Sequence, residues 1–236
     1  MLEKPSEQLL ERYQQVQKRI QQACLKYGRD INSVQLLAVS KTKPIEDIQT
    51  LAADGQKDFG ENYLQESLAK IKISPELNWH FIGPIQSNKT KPIAENFQWV
   101  HSVDRLKIAQ RLSMQRPADL APLNILLEVN INNETSKTGF KTDEIFDTAK
   151  QIASLPNLNL RGLMAIPQKT DSFEKQCQPF AEMQQLLNKL QQQNPDLNLD
   201  TLSMGMSADL EAAIKEGATT VRIGTDIFGA RDYNQN

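Results

Sequence analysis

The chain has 236 residues, 39% hydrophobic and 24% charged, which excludes global disorder and is enough for one substantial core. Its formal charge is −2, with lysine and arginine scattered rather than gathered into a run, so a nucleic-acid partner is not expected. The opening MLEKPSEQLLERYQQVQKRI has no signal-peptide core, no stretch is apolar enough for a membrane span, and Cys24 and Cys177 have neither metal-ligand nor disulfide spacing. These features point to a cytoplasmic protein.

The first segment places Leu9, Leu10, Tyr13, Val16, Ile20 and Cys24 at helical spacing and predicts an amphipathic helix ending near Tyr27-Gly28. Whether it packs across the rest of the chain is not set by the pattern. Eight short apolar runs follow: Val34 to Val39, Lys57 to Gly60, Trp79 to Gly83, Gln98 to Ser102, Leu123 to Asn130, Leu158 to Ile166, Thr201 to Met204 and Thr220 to Gly224. Between them, helical periodicity covers Ile45 to Ala53, Asn62 to Ile71, Asp104 to Met114, Thr142 to Leu155, Phe173 to Gln193 and Ala208 to Glu216. The stretch Pro84 to Pro92 is the weakest helix, because prolines bracket it. Eight strands alternating with helices predict a parallel sheet closed as an α/β (β/α)8 TIM barrel, with an open doubly wound sheet as the alternative. Residues 1–236 read as one domain, with the helix in 1–28 and the barrel in 34–230; residues after Tyr233 are expected to fray.

A barrel puts its functional groups at the C-terminal ends of the strands. Lys41 ends the first run, LLAVSK, where partial desolvation lowers an amine's pKa and frees it to attack an aldehyde. Lys43 competes for that role, but beside Pro44 it is expected to point outward. The segments SMGMSADLEAAI and RIGTDIFG follow strands seven and eight, where such barrels build phosphate sites. Gly205, Gly224 and Thr225 offer backbone N–H groups there, and Ser207 is a candidate N-cap. Arg222, between Val221 and Ile223, can face inward at a pyridine nitrogen and, keeping its own proton, leave that nitrogen largely unprotonated. An amine, a phosphate cradle and this arginine together point to pyridoxal 5′-phosphate. His80 and His101, the only histidines, lack metal-site company; hydrogen-bonding or packing roles are expected, with His80 the nearer to the cofactor and no metal.

The segments AVSKTKP, FGENYLQE, WHFIGPIQSNK, VHSVDR, VNINNETSKTGF, LRGLMAI, LSMGMSADLEAAI and VRIGTDIFGARDY run from about Leu37 to Tyr233. In that order they resemble the pyridoxal phosphate homeostasis proteins, the PROSC or YggS-like family. The resemblance implies a barrel like the N-terminal domain of alanine racemase, with the cofactor held as a Schiff base on Lys41. It also implies phosphate at SMGMS and RIGT, Arg222 at the pyridine nitrogen, and Asn62, His80, Met164 and Ser203 lining the pocket. About a dozen residues follow the last strand, leaving no room for the β-rich second domain that completes a racemase site. The expectation is therefore a monomeric carrier without turnover, serving vitamin B6 homeostasis and delivering cofactor to apo forms of pyridoxal phosphate enzymes. The alternatives are a small racemase or lyase, needing a second acid/base such as Tyr63 or His80, and a lysine-dependent sugar-phosphate aldolase. Arg222 argues against the aldolase, since a sugar phosphate has no ring nitrogen to meet.

Overall fold

In the computed structural model, which describes residues 5–132, 134 and 137–230, eight parallel strands close into a barrel in strict sequence order. They are β1 (Gln35–Val39), β2 (Asp58–Glu61), β3 (Asn78–Phe81), β4 (Trp99–Val103), β5 (Leu123–Glu128), β6 (Leu158–Met164), β7 (Thr201–Ser203) and β8 (Thr220–Ile223). Closure comes from β1 pairing with β8, Leu37 opposite Arg222, so no strand edge is left open.

The helices are α1 (Pro5–Lys26), α2 (Ile45–Ala53), α3 (Leu64–Ile73), α4 (Thr90–Asn96), α5 (Leu106–Gln115), α6 (Ile145–Ala153), α7 (Phe173–Gln193), α8 (Leu210–Lys215) and α9 (Thr225–Phe228). Parallel neighbours need a crossover, and α2 to α8 supply one each by burying an apolar stripe on the outer face of the strands. In α7 the stripe is Phe180, Met183, Leu187 and Leu190, each 3% exposed or less, and each contributes about 1.5–3 kcal/mol of burial.

All eight expected runs form strands, with ends displaced by at most two residues. The Pro84 to Pro92 stretch differs in detail: a 3-10 turn at Ser87–Lys89 leads into α4, whose third residue is Pro92. A proline in the first turn gives up an N–H that has no helical partner anyway, so Pro92 starts a helix where it read as a boundary. The four-residue α9 was not foreseen, being too short to show a period.

The N-terminal helix is packed. Leu9, Tyr13, Val16, Ile20 and Cys24 are all at most 4% exposed, and the helix ends where Gly28 takes φ 66°, a left-handed cap. Arginines of this segment and the turn after it tie down the end of the barrel. Arg12 Nε donates to Ile227 O at 2.7 Å, and Arg29 Nη1 to Ile214 O and Ala218 O at 2.8 and 2.6 Å. Arg19 pairs with Glu211 and Asp226 at 3.0 and 2.6 Å. The fraying expected after Tyr233 lies outside the described residues. Among the described residues no helix is long and apolar enough to cross a membrane, and no three His, Cys, Asp or Glu side chains are grouped to hold a metal ion.

Candidate functional site

Lys41 follows β1 in a tight turn, closed by Lys43 N donating to Ser40 O at 3.1 Å, with Thr42 at φ 63°. A non-glycine residue in the left-handed region needs support from its surroundings. Support comes from a clamp with a buried half and an exposed half: Ser40 Oγ donates to the buried Glu61 Oε1 at 2.6 Å, and Thr42 N to Glu66 Oε1 at 2.6 Å nearer the surface. Lys70 Nζ, 5% exposed as a residue, donates to Ser40 O, Glu61 Oε1 and Glu66 Oε1 at 2.8, 2.8 and 2.5 Å. Burial pushes the Glu61 carboxyl up, and the Lys70 ammonium pulls it partly back. Glu61 and Lys70 thus fix the backbone that carries Lys41.

Lys43 does not simply reach into solvent. Its Nζ donates to Phe228 O and Ala230 O at 3.1 and 3.2 Å, tying the turn to the end of α9 and leaving Lys41 the lysine of this turn that lines the mouth.

Across the mouth, Arg222 is 5% exposed. Its Nη1 donates to Ser203 O and Ser203 Oγ at 2.8 and 2.7 Å, and its Nη2 to Ala165 O at 3.1 Å. These bonds use three of a guanidinium's five N–H groups. Burial pulls its pKa down to about 10, against the opposing charges of Asp209 and Glu128, so it stays protonated at neutral pH. Gly205, at φ 93°, accepts from Arg222 N at 3.0 Å and has no space for a side chain, because a Cβ there would lie 2.4 Å from Ala213 Cβ.

Ser207 does not cap α8. Asp209 is the N-cap residue, and its Oδ1 accepts from Met206 N at 2.6 Å, closing the turn that presents Ser207 to the mouth. The carboxylate is the stronger acceptor, and the helix starts at Leu210, two residues later than the sequence pattern indicates. Next to it, Gly224 leads into α9, whose first-turn N–H groups at Thr225 and Asp226 have no acceptor within the helix.

These groups border one cavity of about 340 Å³. Lys41, Asn62, Ser207, Arg222, Gly224 and Thr225 line it, joined by Lys169, and the apolar part of the wall includes Val39, Ile82, Ile166 and Met206. Asn62 Oδ1 is buried with no hydrogen-bond partner among the described residues. His80, Met164, Ser203 and Gly205 do not line the cavity; His80, Met164 and Ser203 are at most 1% exposed and lie beneath it. Lys169 was missed, although it sits in the loop after β6 where the strand-end rule looks for function. The Glu66–Lys70 pair was missed as well, although its i, i+4 spacing is visible in the sequence.

A family model described as alanine racemase, N-terminal domain matches residues 11–232. A Pseudomonas aeruginosa protein named pyridoxal phosphate homeostasis protein is 58% identical over 227 residues, covering 95% of this chain and 96% of that one. The structure of PipY from Synechococcus elongatus with PLP bound is 37% identical with a TM-score of 0.76, over 84% of this chain and 93% of that one. Alanine racemase from Corynebacterium glutamicum shares the fold at 14% identity, with a TM-score of 0.72 over 96% of this chain and 61% of that one.

Proposed function

The chain belongs to the family of the pyridoxal phosphate homeostasis proteins, built on the alanine racemase N-terminal barrel, and from that premise we propose that it binds pyridoxal 5′-phosphate covalently through Lys41. One observation carries the reading: an amine, a guanidinium, small-residue backbone at a helix start and an orphaned buried acceptor share one cavity. At about 340 Å³ the cavity is within the range of small-molecule sites, roughly 300–1,000 Å³.

The donor set fits the cofactor. When bound, pyridoxal phosphate supplies an aldehyde that condenses reversibly with amines. Lys41 is the attaching amine, held in place by the Glu61–Lys70 clamp. Ser207, Gly224 and Thr225 take the phosphate, using N–H groups that a helix start leaves unpaired. Arg222 faces the ring nitrogen; a permanently charged donor does not give up its proton there, so the electron-withdrawing power of the ring stays low. Asn62 Oδ1, without a partner among the described residues, gains a hydrogen bond. His80, Met164, Ser203 and Gly205 support this wall from below rather than touching the ligand.

The role is that of a carrier in cytoplasmic vitamin B6 homeostasis, with residues 1–236 acting as one cofactor-binding unit that buffers the aldehyde and delivers it to apo-enzymes. The named relatives carry a homeostasis name rather than an enzyme's. Of the two candidates for a second acid/base, His80 is 1% exposed under the mouth, while Tyr63, 50% exposed, lines a neighbouring cavity. Neither arrangement favours a racemase or lyase.

The test is an absorbance titration of the protein with pyridoxal phosphate, wild type beside Lys41→Ala, followed by borohydride and peptide mapping. A visible band that borohydride fixes onto the Lys41 peptide, and that the variant lacks, is expected. Equal labelling of both proteins, or labelling of another lysine, refutes the assignment.

A further inference from the structure

Below the mouth, five side chains from five strands form a hydrogen-bonded line along the barrel interior. Arg222 Nη1 donates to Ser203 Oγ at 2.7 Å, and Ser203 Oγ meets His101 Nδ1 at 2.9 Å. His101 Nε2 meets His80 Nδ1 at 3.0 Å, and His80 Nε2 meets Asp58 Oδ1 at 3.1 Å. Strands β4 and β7 are not neighbours, so the contact between His101 and Ser203 crosses the lumen. The four members other than Asp58 are at most 5% exposed, and Trp99 stacks on His80 with ring centroids 5.5 Å apart. Asp58 lies at the opposite end of the barrel from Arg222, beside a surface cavity of about 310 Å³.

The line has one fully satisfied polarity. A guanidinium only donates and a carboxylate only accepts, while a hydroxyl or a neutral imidazole does one of each. With an obligate donor at one end and an obligate acceptor at the other, every proton must point toward Asp58. Ser203 then donates to His101 Nδ1, and both histidines are neutral with their proton on Nε2. The alternative, a charged His80 donating in both directions, would add a second buried cation to the line that already contains Arg222, which a low-dielectric interior opposes.

We infer that Asp58, His80 and His101 are positioning residues for Arg222, a one-way relay that orients the Ser203 hydroxyl and so fixes the guanidinium at the cofactor face of the mouth. Its functional meaning rests on the pyridoxal phosphate reading above, whereas its polarity does not. Burial lowers the pKa of both histidines, in keeping with neutral rings. At Asp58, burial raises the carboxyl, but hydrogen bonds from His80, Gln35 and Asn78 lower it and hold the group ionised. Arg222 thereby becomes sensitive to a carboxylate at the far rim of the barrel, through groups that never touch the ligand.

The chain has only two histidines, so ¹⁵N-histidine labelling of the whole protein gives a two-residue spectrum. Long-range nitrogen–proton correlation at about pH 7, without cofactor, is expected to show two neutral rings protonated on Nε2. An imidazolium, or a proton on Nδ1 of either ring, overturns the inference. Asp58→Asn is expected to shift the His101 signals, although Asp58 and His101 are not in contact, and to weaken pyridoxal phosphate binding roughly three- to tenfold. Unchanged His101 signals in that variant also overturn it. If Asp58→Asn does not fold, Ser203→Ala breaks the line from the other end and Ser203→Thr restores the hydroxyl; His101 signals that do not move with Ala, or that move and do not return with Thr, overturn the relay. A wild-type protein that binds no pyridoxal phosphate sinks the site assignment alone, because the spectrum is read without the cofactor.

Discussion

Replacing Lys70 by methionine keeps the length of the stem and removes the ammonium from a site where Glu61 is fully buried. Glu61 Oε1 would keep only the Ser40 hydroxyl, and Oε2 has no partner among the described residues to begin with. Breaking a buried ion pair from one side costs about 3–5 kcal/mol. For a chain of this size that is a fall in melting temperature of roughly 6–20 °C, at about 2–4 °C per kcal/mol. The deficit carries a pH signature. Burial already raises the Glu61 carboxyl, and without Lys70 it rises further, so the folded variant holds a proton that the unfolded chain releases above about pH 4.3. Stability relative to wild type is therefore lost as pH rises through the folded pKa and recovered on acidification. Urea denaturation of wild type and Lys70→Met, from about pH 5 to about pH 8, should show the gap widening with pH. Adding Glu61→Gln, which removes the stranded charge, should close most of it. A gap under about 1 kcal/mol, or one that is the same at both ends of the range, would refute the claim that this pair is a buried support for the Lys41 turn.

Two further substitutions probe the end of the mouth formed by the loops after β7 and β8. Gly205→Ala forces a Cβ against Ala213 in a left-handed backbone, and a loss of about 2–4 kcal/mol is expected in chemical denaturation; a neutral result would mean the loop moves freely. Arg19→Ala removes partly exposed ion pairs to Glu211 and Asp226, so global stability should fall by only about 1 kcal/mol, while hydrogen exchange in α9 should rise. Unaltered exchange there would show that the strap does not hold this segment.

The barrel was legible because each strand and most helices announce themselves locally: apolar runs too short for helices, separated by stretches of helical period. Prolines misled where Pro92 opens α4, since a residue that ends helices also suits their first turn. The placement of Lys41 and Arg222 at one cavity was legible because the strand-end rule converts topology into location before any coordinates exist. The support beneath them was not legible. The contact between His101 and Ser203 joins residues 102 apart on strands that meet only across a closed lumen. The capping of the turn after β7 also misread, because Ser207 and Asp209 are both good capping residues and only the position of the first turn of α8 selects between them.

The pairing of β1 with β8 and the docking of α1 on α9 join the first part of the chain to its last, as in the bond from Arg12 to Ile227, 215 residues apart. During synthesis from the N-terminus, Lys41 emerges long before Arg222, and the lumen cannot close until β8 has left the ribosome. A reactive aldehyde arriving at the nascent chain finds an amine with no opposite wall. A ligand that needs both walls can therefore be held only once β8 has paired with β1, and the seat of α1 on α9 is likewise complete only when the end of the barrel is in place.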